Sequence, residues 1–391
     1  MEKGKFEAES KLEVIQFLEK KNLIPVSIER EGVTKGIRGF STNFFETIKP
    51  IDRIFLVRNL STTIKAGLNI IEALDILIAD TAKNVMKKIL SQAKFNLQKG
   101  QPLSATFVQY KKHFPSVFIG MIKAGEVSGR LDESFDKLNV YLTKEYNLAK
   151  KIKSALAYPV ILLVASVGVV SMLMFFVLPK LAKSFQMSKV ELPLITRIVI
   201  GISNIFTYSI ILDLAVVALI AWLFIYFRKT EWGKKVFLTI LLKTPVARDL
   251  VKKVALVRFS RTLGGLISSG ITIVEALNLS AETVGNEFYK KIILDSVEQV
   301  KSGIPLSKTF SNYHNLFPKL LINMMTVGER TGTLEHVLLT FSDFYEEEMD
   351  NTIKDLTTFL EPILLLFMGL MVGTIALSIL LPIYQLVGKF I

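Results

Sequence analysis

Chemistry in this chain has to be built from three histidines, its carboxylates and its glycine-rich turns, because no cysteine is present. That excludes disulfides, thiolate metal sites and cysteine nucleophiles. His113, His314 and His336 have no histidine or carboxylate at the helical spacing of metal ligands. No Gly-x-x-x-x-Gly-Lys-Ser/Thr loop and no Gly-x-Gly-x-x-Gly fingerprint occurs, so a nucleotide's phosphates have no backbone cradle here. No nucleophile-elbow motif supports a serine triad. These residues give no enzyme, no metal centre and no cofactor site; if ATP is involved, another protein hydrolyses it.

What the chain does carry is Gly125-Glu126-Val127-Ser128-Gly129-Arg130-Leu131, which returns as Gly328-Glu329-Arg330-Thr331-Gly332-Thr333-Leu334, 203 residues later. Two roles fit the motif. It could be a tight helix-to-helix connection, in which the glycines allow left-handed backbone and close approach while Glu126 or Glu329 accepts amides at the start of the next helix. The alternative is a turn facing the cytoplasm on which a partner docks.

The same offset pairs Arg58 with Arg261, Gly67 with Gly270, Glu72-Ala73-Leu74 with Glu275-Ala276-Leu277, and Pro102-Leu103-Ser104 with Pro305-Leu306-Ser307. Phe114-Pro115, Glu145 and Pro159 fall on Phe317-Pro318, Glu348 and Pro362. Over positions 58–159, 29 of 102 residues are identical to their partners without a gap, so a domain is duplicated. Glycine and proline punctuate helical periodicity at matched places, which predicts about six short helices per copy. Asn69 to Glu72 and Thr272 to Glu275 both fit a capping box. The last helix of each copy follows the Gly-Glu motif and runs without a breaker into an apolar stretch.

Those stretches make the fold class an all-α membrane protein. Half of the residues are hydrophobic and the mean hydropathy is +0.43. Ser154 to Pro179 is 26 residues without a charge, above the ~20 needed to cross a bilayer, and holds Pro159 as an expected kink. A third span is expected over 357–386, with Glu361-Pro362 at the homologous place. Between them, Tyr208 to Phe227 is apolar enough to return the chain, so that both homologous domains share one side. The expected layout is an N-terminal module and linker over 1–50, a first helical domain over 51–153, a span over 154–179 and an external loop over 180–207. A second span follows over 208–227, a second helical domain over 228–356, the third span, and a tail over 387–391. The N-terminal module reads as α/β, with Ser10 capping a helix ahead of a strand-like Pro25 to Ile28, and its charged opening does not read as a signal peptide.

Near the spans, nine Lys/Arg lie on the domain side against five on the other, which places both domains in the cytoplasm. The net charge of +13 then reflects lysines facing anionic membrane lipid, with no nucleic acid required. Glu361 stands out as a carboxylate at the edge of an apolar segment, where its counterpart in the first span is Tyr158. It is either interfacial, with its side chain in headgroup water, or paired with a group on another helix or subunit.

The doubled domain, the Gly-Glu-x-x-Gly-x-Leu motifs, Tyr158-Pro159, Glu361-Pro362 and the closing Leu381-Pro382-Ile383-Tyr384 resemble the type II secretion F and type IV pilus platform proteins (GspF/PilC) over nearly the whole chain. The resemblance implies a multi-pass scaffold of the inner membrane, with cytoplasmic domains, that links a cytoplasmic hexameric ATPase to pilin or pseudopilin subunits entering a growing fibre. It also implies other inner-membrane alignment-complex proteins as partners, and a homo-oligomer. The main rival class is a subunit of an oligomeric transporter or channel, against which three spans with no polar midplane cluster argue.

Overall fold

Proline begins the first helix of each copy, where a missing N–H costs nothing. In the computed structural model these helices are α1 (Pro50–Lys65) and α7 (Pro245–Ser268). The structure describes residues 47–177 and 245–388 and a few isolated positions between them. The expected N-terminal module, the loop and the second span lie almost wholly outside the described residues. Among those described, every regular element is helical, and each copy contains six helices.

The first copy continues with α2 (Ile70–Asp80), α3 (Asn84–Gln98), α4 (Leu103–Gln109), α5 (Ser116–Ser128) and α6 (Leu131–Met172), the last passing into a π turn at Leu173–Val177. The second has α8 (Ile273–Thr283), α9 (Glu287–Lys301), α10 (Leu306–Ser311), α11 (Lys319–Thr331) and α12 (Leu334–Gly388). The Asn69 box closes both ways: its side chain accepts from the Ile71 and Glu72 amides at 3.0 Å, and Glu72 accepts from the Asn69 amide at 3.1 Å. The Thr272 box is only half made. Thr272 accepts from the Glu275 amide, but the Glu275 carboxylate turns to Lys123 of the first copy, 3.6 Å away. A tertiary charge has outcompeted a local cap.

Each core is built on buried phenylalanines, and the two copies reach the same filling by different substitutions. Phe107, Phe114 and Phe118 pack with ring centroids 4.7–5.0 Å apart, while Phe310 and Phe317 meet Phe259 at 5.3 and 5.6 Å. The third ring comes from α5 in the first copy and from α7 in the second. At the vacated places stand Leu321, opposite Phe118, and Leu56, opposite Phe259, all of them buried. Volume is conserved across the pair although neither position is, which is how a core tolerates exchange. One hydrophobic cluster runs through both copies, so the duplicated units pack on each other.

Among the described residues two helices, α6 and α12, are long and apolar enough to cross a membrane. At 42 and 55 residues they would extend about 60 and 80 Å, roughly two or more times the hydrocarbon thickness. Their first halves pack against α1 and α7, and their apolar second halves leave residues such as Ile161, Leu366 and Leu370 exposed. The helix continues through Pro159 and through Pro362, so neither proline separates a domain from its apolar segment.

The connection into α6 and α12 is sterically tight. Gly129 and Gly332 end α5 and α11 in left-handed conformation, φ +68° and +73°. Four residues earlier, a Cβ on Gly328 would stand 2.6 Å from Val337 Cγ2 and 2.9 Å from the Leu334 Cα. Gly328→Ala should therefore lower stability by about 1–3 kcal/mol, read as a drop in the Tm of the full chain in detergent. An unchanged Tm would show that the junction is not close-packed.

Candidate functional site

The functional question is how the helical domains hold the two long helices, and the Gly-Glu motif supplies the first part of the answer. Glu126 lies in the last turn of α5, where the negative end of the helix dipole does not favour a carboxylate. Its side chain accepts from the amides of Leu103 and Ser104 (3.1 Å for the latter) and from the Ser104 hydroxyl at 2.5 Å. Glu329 does the same with Leu306 and Ser307. These amides begin α4 and α10, helices that precede the motif, and not the helix that follows it as the sequence suggests. The reason is geometric. Glu126 is still inside α5, and helical side chains lean towards their own N-terminus, away from α6 and towards the helix packed before it. The residues ahead of α4 and α10 are Pro102 and Pro305, which have no side-chain oxygen to cap with, so the glutamate caps from a distance. Beside this cap, Val108, Ile119, Lys123 and Val127 line a shallow open hollow.

The second part lies between the copies. Arg261 on α7 is 2 % exposed and donates to the Glu346 carboxylate of α12 at 2.5 Å. Glu346 also accepts from Lys151 of α6 at 2.9 Å, and Lys151 reaches Asp350 at 2.8 Å. One turn away, Arg258 pairs with Glu145 of α6 at 2.6 Å, and the buried Tyr141 hydroxyl meets Thr262 at 3.3 Å. Lys144 and Asp343 pair at 2.5 Å further along the same helices. The two long helices are therefore clamped by charge just before their apolar segments begin.

The titration behaviour of these groups separates them. Burial raises the Glu145 carboxyl above its ordinary value despite the guanidinium of Arg258. Burial also works against the charged form of Glu346, but Lys151 and Arg261 outweigh it and hold that carboxyl below its usual range. Burial pushes the Tyr141 hydroxyl up to about 12, so it stays a neutral hydrogen-bonding group. The sign for Glu346 follows from its depressed value. Its contribution to stability is present above its unfolded pKa of about 4.5 and is lost as pH falls through its folded value. Glu145 acts in the opposite sense over the neighbouring range.

Glu361 and Pro362 stand exposed on α12, and Glu361 has no hydrogen-bond or ion-pair partner among the described residues. Pro159 is half-exposed on α6. The Gly125 and Gly328 motifs, the charge clamp and the two proline positions thus form three successive levels along the long helices, and they do not converge on one pocket. Among the described residues no group of three His, Asp or Glu side chains is arranged to hold a metal.

Comparison with known proteins follows the same period. A profile for "Type II secretion system (T2SS), protein F" matches residues 56–179 and again 259–382, an offset of 203. The chain belongs to the type II secretion system protein F family. The type IV pilus assembly protein PilC of Thermus thermophilus is 34 % identical over 337 residues, covering 86 % of this chain and 83 % of its own length. PilC of Myxococcus xanthus is 32 % identical over 394 residues, 99 % of this chain and 92 % of its own length. The type II secretion system protein F of Pseudomonas aeruginosa is 30 % identical over 395 residues, with 99 % and 96 % covered. The family domain thus includes each long helix along with its five shorter ones.

Glu346→Gln should leave the buried Arg261 without its carboxylate and destabilise the chain by about 3–5 kcal/mol, with a weaker acid limb in its stability curve. Adding Arg261→Met should recover much of the loss, because the uncompensated cation is then gone. Chemical or thermal denaturation of both variants in detergent reads this; additive losses would show that the two residues are not coupled.

Proposed function

We propose that this chain is the inner-membrane platform of a type IV pilus assembly or type II secretion machine. It couples a cytoplasmic hexameric ATPase to the insertion of pilin or pseudopilin subunits into a growing fibre, within a homo-oligomer that also meets the other inner-membrane alignment-complex proteins. It does so as a scaffold and catalyses no reaction itself. Both helical domains lie in the cytoplasm, as the Lys/Arg bias indicates, and the chain crosses the membrane three times. The single observation that carries this reading is the mechanical one: each domain's last helix continues, unbroken, from the charge clamp into a segment able to span a bilayer. A push on the domains is then delivered to the membrane helices with no flexible joint to absorb it.

Within that reading the Gly-Glu motifs hold the domain-to-helix corner stiff, and Glu361 with Pro362, opposite Tyr158 and Pro159, marks where motion enters the bilayer. Glu361 is exposed and has no partner among the described residues, which favours a partner on another helix or subunit over a contact within its own helix. The rival assignment, an oligomeric transporter subunit, would need polar groups lining a path along the exposed apolar halves of α6 and α12. The described residues there are almost all apolar.

The test is complementation in a strain lacking this gene. The deletion should abolish surface fibres or secretion through this machine, and the wild-type gene should restore them. Glu361→Gln keeps shape and hydrogen bonding but removes charge, so it should accumulate to normal levels and fail to restore assembly. A deletion strain with normal fibres and normal secretion would refute the platform assignment. Full restoration by Glu361→Gln would refute the role given to that carboxylate.

A further inference from the structure

The two copies of the domain meet through different surfaces. The first offers α5 and α6; the second receives them on α7 and α8, with α12 alongside. Tyr141 meets Thr262, Glu145 meets Arg258, Lys123 meets Glu275 and Ser116 meets Glu282 across this contact. The reciprocal packing, α11 and α12 of the second copy on α1 and α2 of the first, is not made to any comparable extent among the described residues.

A duplicated domain with such a contact leaves one half of the same interface unused at each end. The side chains on those unused halves are the ones this predicts. Phe344 is 47 % exposed, whereas its counterpart Tyr141 is 8 % exposed in the contact; Leu320 is 44 % exposed, and its counterpart Val117 is fully buried. On the receiving side Phe55 and Ile76, the counterparts of Arg258 and Leu279, are 53 % and 48 % exposed. Charge is complementary as well. Arg58 is exposed and makes no ion pair among the described residues, because the position equivalent to Glu346 in its own copy is Thr143. The neighbour it would gain is Glu348, which is 44 % exposed, lies 3.6 Å from Lys253 of its own chain and is the counterpart of Glu145, whose electrostatic environment includes Arg261, the counterpart of Arg58.

We infer that two copies of this chain associate head to tail, with α11 and α12 of one seated on α1 and α2 of the next, in the arrangement that joins the two domains inside each chain. Phe344 then covers the face that carries Phe55, and Glu348 approaches Arg58. The contact is heterologous, so it propagates, and membrane helices that hold every copy at one depth direct it towards closure in a ring. The inference rests on the self-association proposed above and is independent of whether the fibre is a pilus or a secretion pseudopilus.

The absence of cysteine makes the test clean. Phe55→Cys and Phe344→Cys are made in two differently tagged full-length chains and treated in membranes with a short bismaleimide. Both positions are exposed, so folding should be undisturbed, and the molar mass of untreated protein in mild detergent is measured in parallel. The expected result is an efficient cross-link between the two different chains, little or none when either variant is expressed alone, and a ladder when one chain carries both cysteines. Efficient cross-linking of either single variant to itself would overturn the inference in favour of a two-fold contact. An oligomeric mass without the mixed cross-link would overturn this surface while leaving self-association intact, and a monomeric mass would overturn both.

Discussion

A guanidinium buried between helices is the constraint on which the rest of this structure depends. Arg261 has lost nearly all contact with water, and its Nε and Nη1 find no acceptor among the described residues, so the Glu346 carboxylate is the group that makes its burial tolerable. Glu346 is in turn held charged by Lys151 from the other copy. Such a cluster is no source of great stability, because desolvation offsets most of the attraction. Its value is specificity: any sliding of α6 past α12 or α7 breaks short, directional contacts and leaves a charge unpaired. Hydrophobic packing alone, which continues smoothly along both helices, would not fix that register.

The glutamates of the Gly-Glu motifs perform the corresponding task at the other end of the domain. By capping α4 and α10, each ties the corner before the long helix back to a short helix that has no capping residue of its own. The glycines let the chain turn there in the space of one residue and let the long helix start in contact with the one before it. Cap, corner and clamp thus follow one another along the path from the domain surface to the apolar segments.

Much of this was legible in the sequence, because duplication made each punctuating residue appear twice. The six helices per copy, the Asn69 capping box, the glycine-ended α5 and α11 and the two long helices all follow from residues shared at a spacing of 203. The charge clamp was not legible for the same reason. Arg261, Glu145 and Lys151 recur as Arg58, Glu348 and Lys354, but Arg258 is matched by Phe55 and Glu346 by Thr143, so the comparison that reveals the domain drops one partner from each pair that joins the clamp. The direction of the Glu126 cap was not legible because the motif itself does not show that Glu126 still lies inside α5, and half of the Thr272 box was lost to Lys123, a residue 149 positions earlier in the chain.

The central claim is that domain and membrane helix form one stiff body through the clamp. Hydrogen–deuterium exchange on the full chain in lipid nanodiscs tests it most directly, read over residues 137–153 and 340–356 in the wild type and in Glu346→Gln. The account predicts uniformly slow exchange through both segments in the wild type, and faster exchange on both helices together in the variant. A rapidly exchanging break between domain and apolar segment in the wild type, or a variant effect confined to α12, would contradict it.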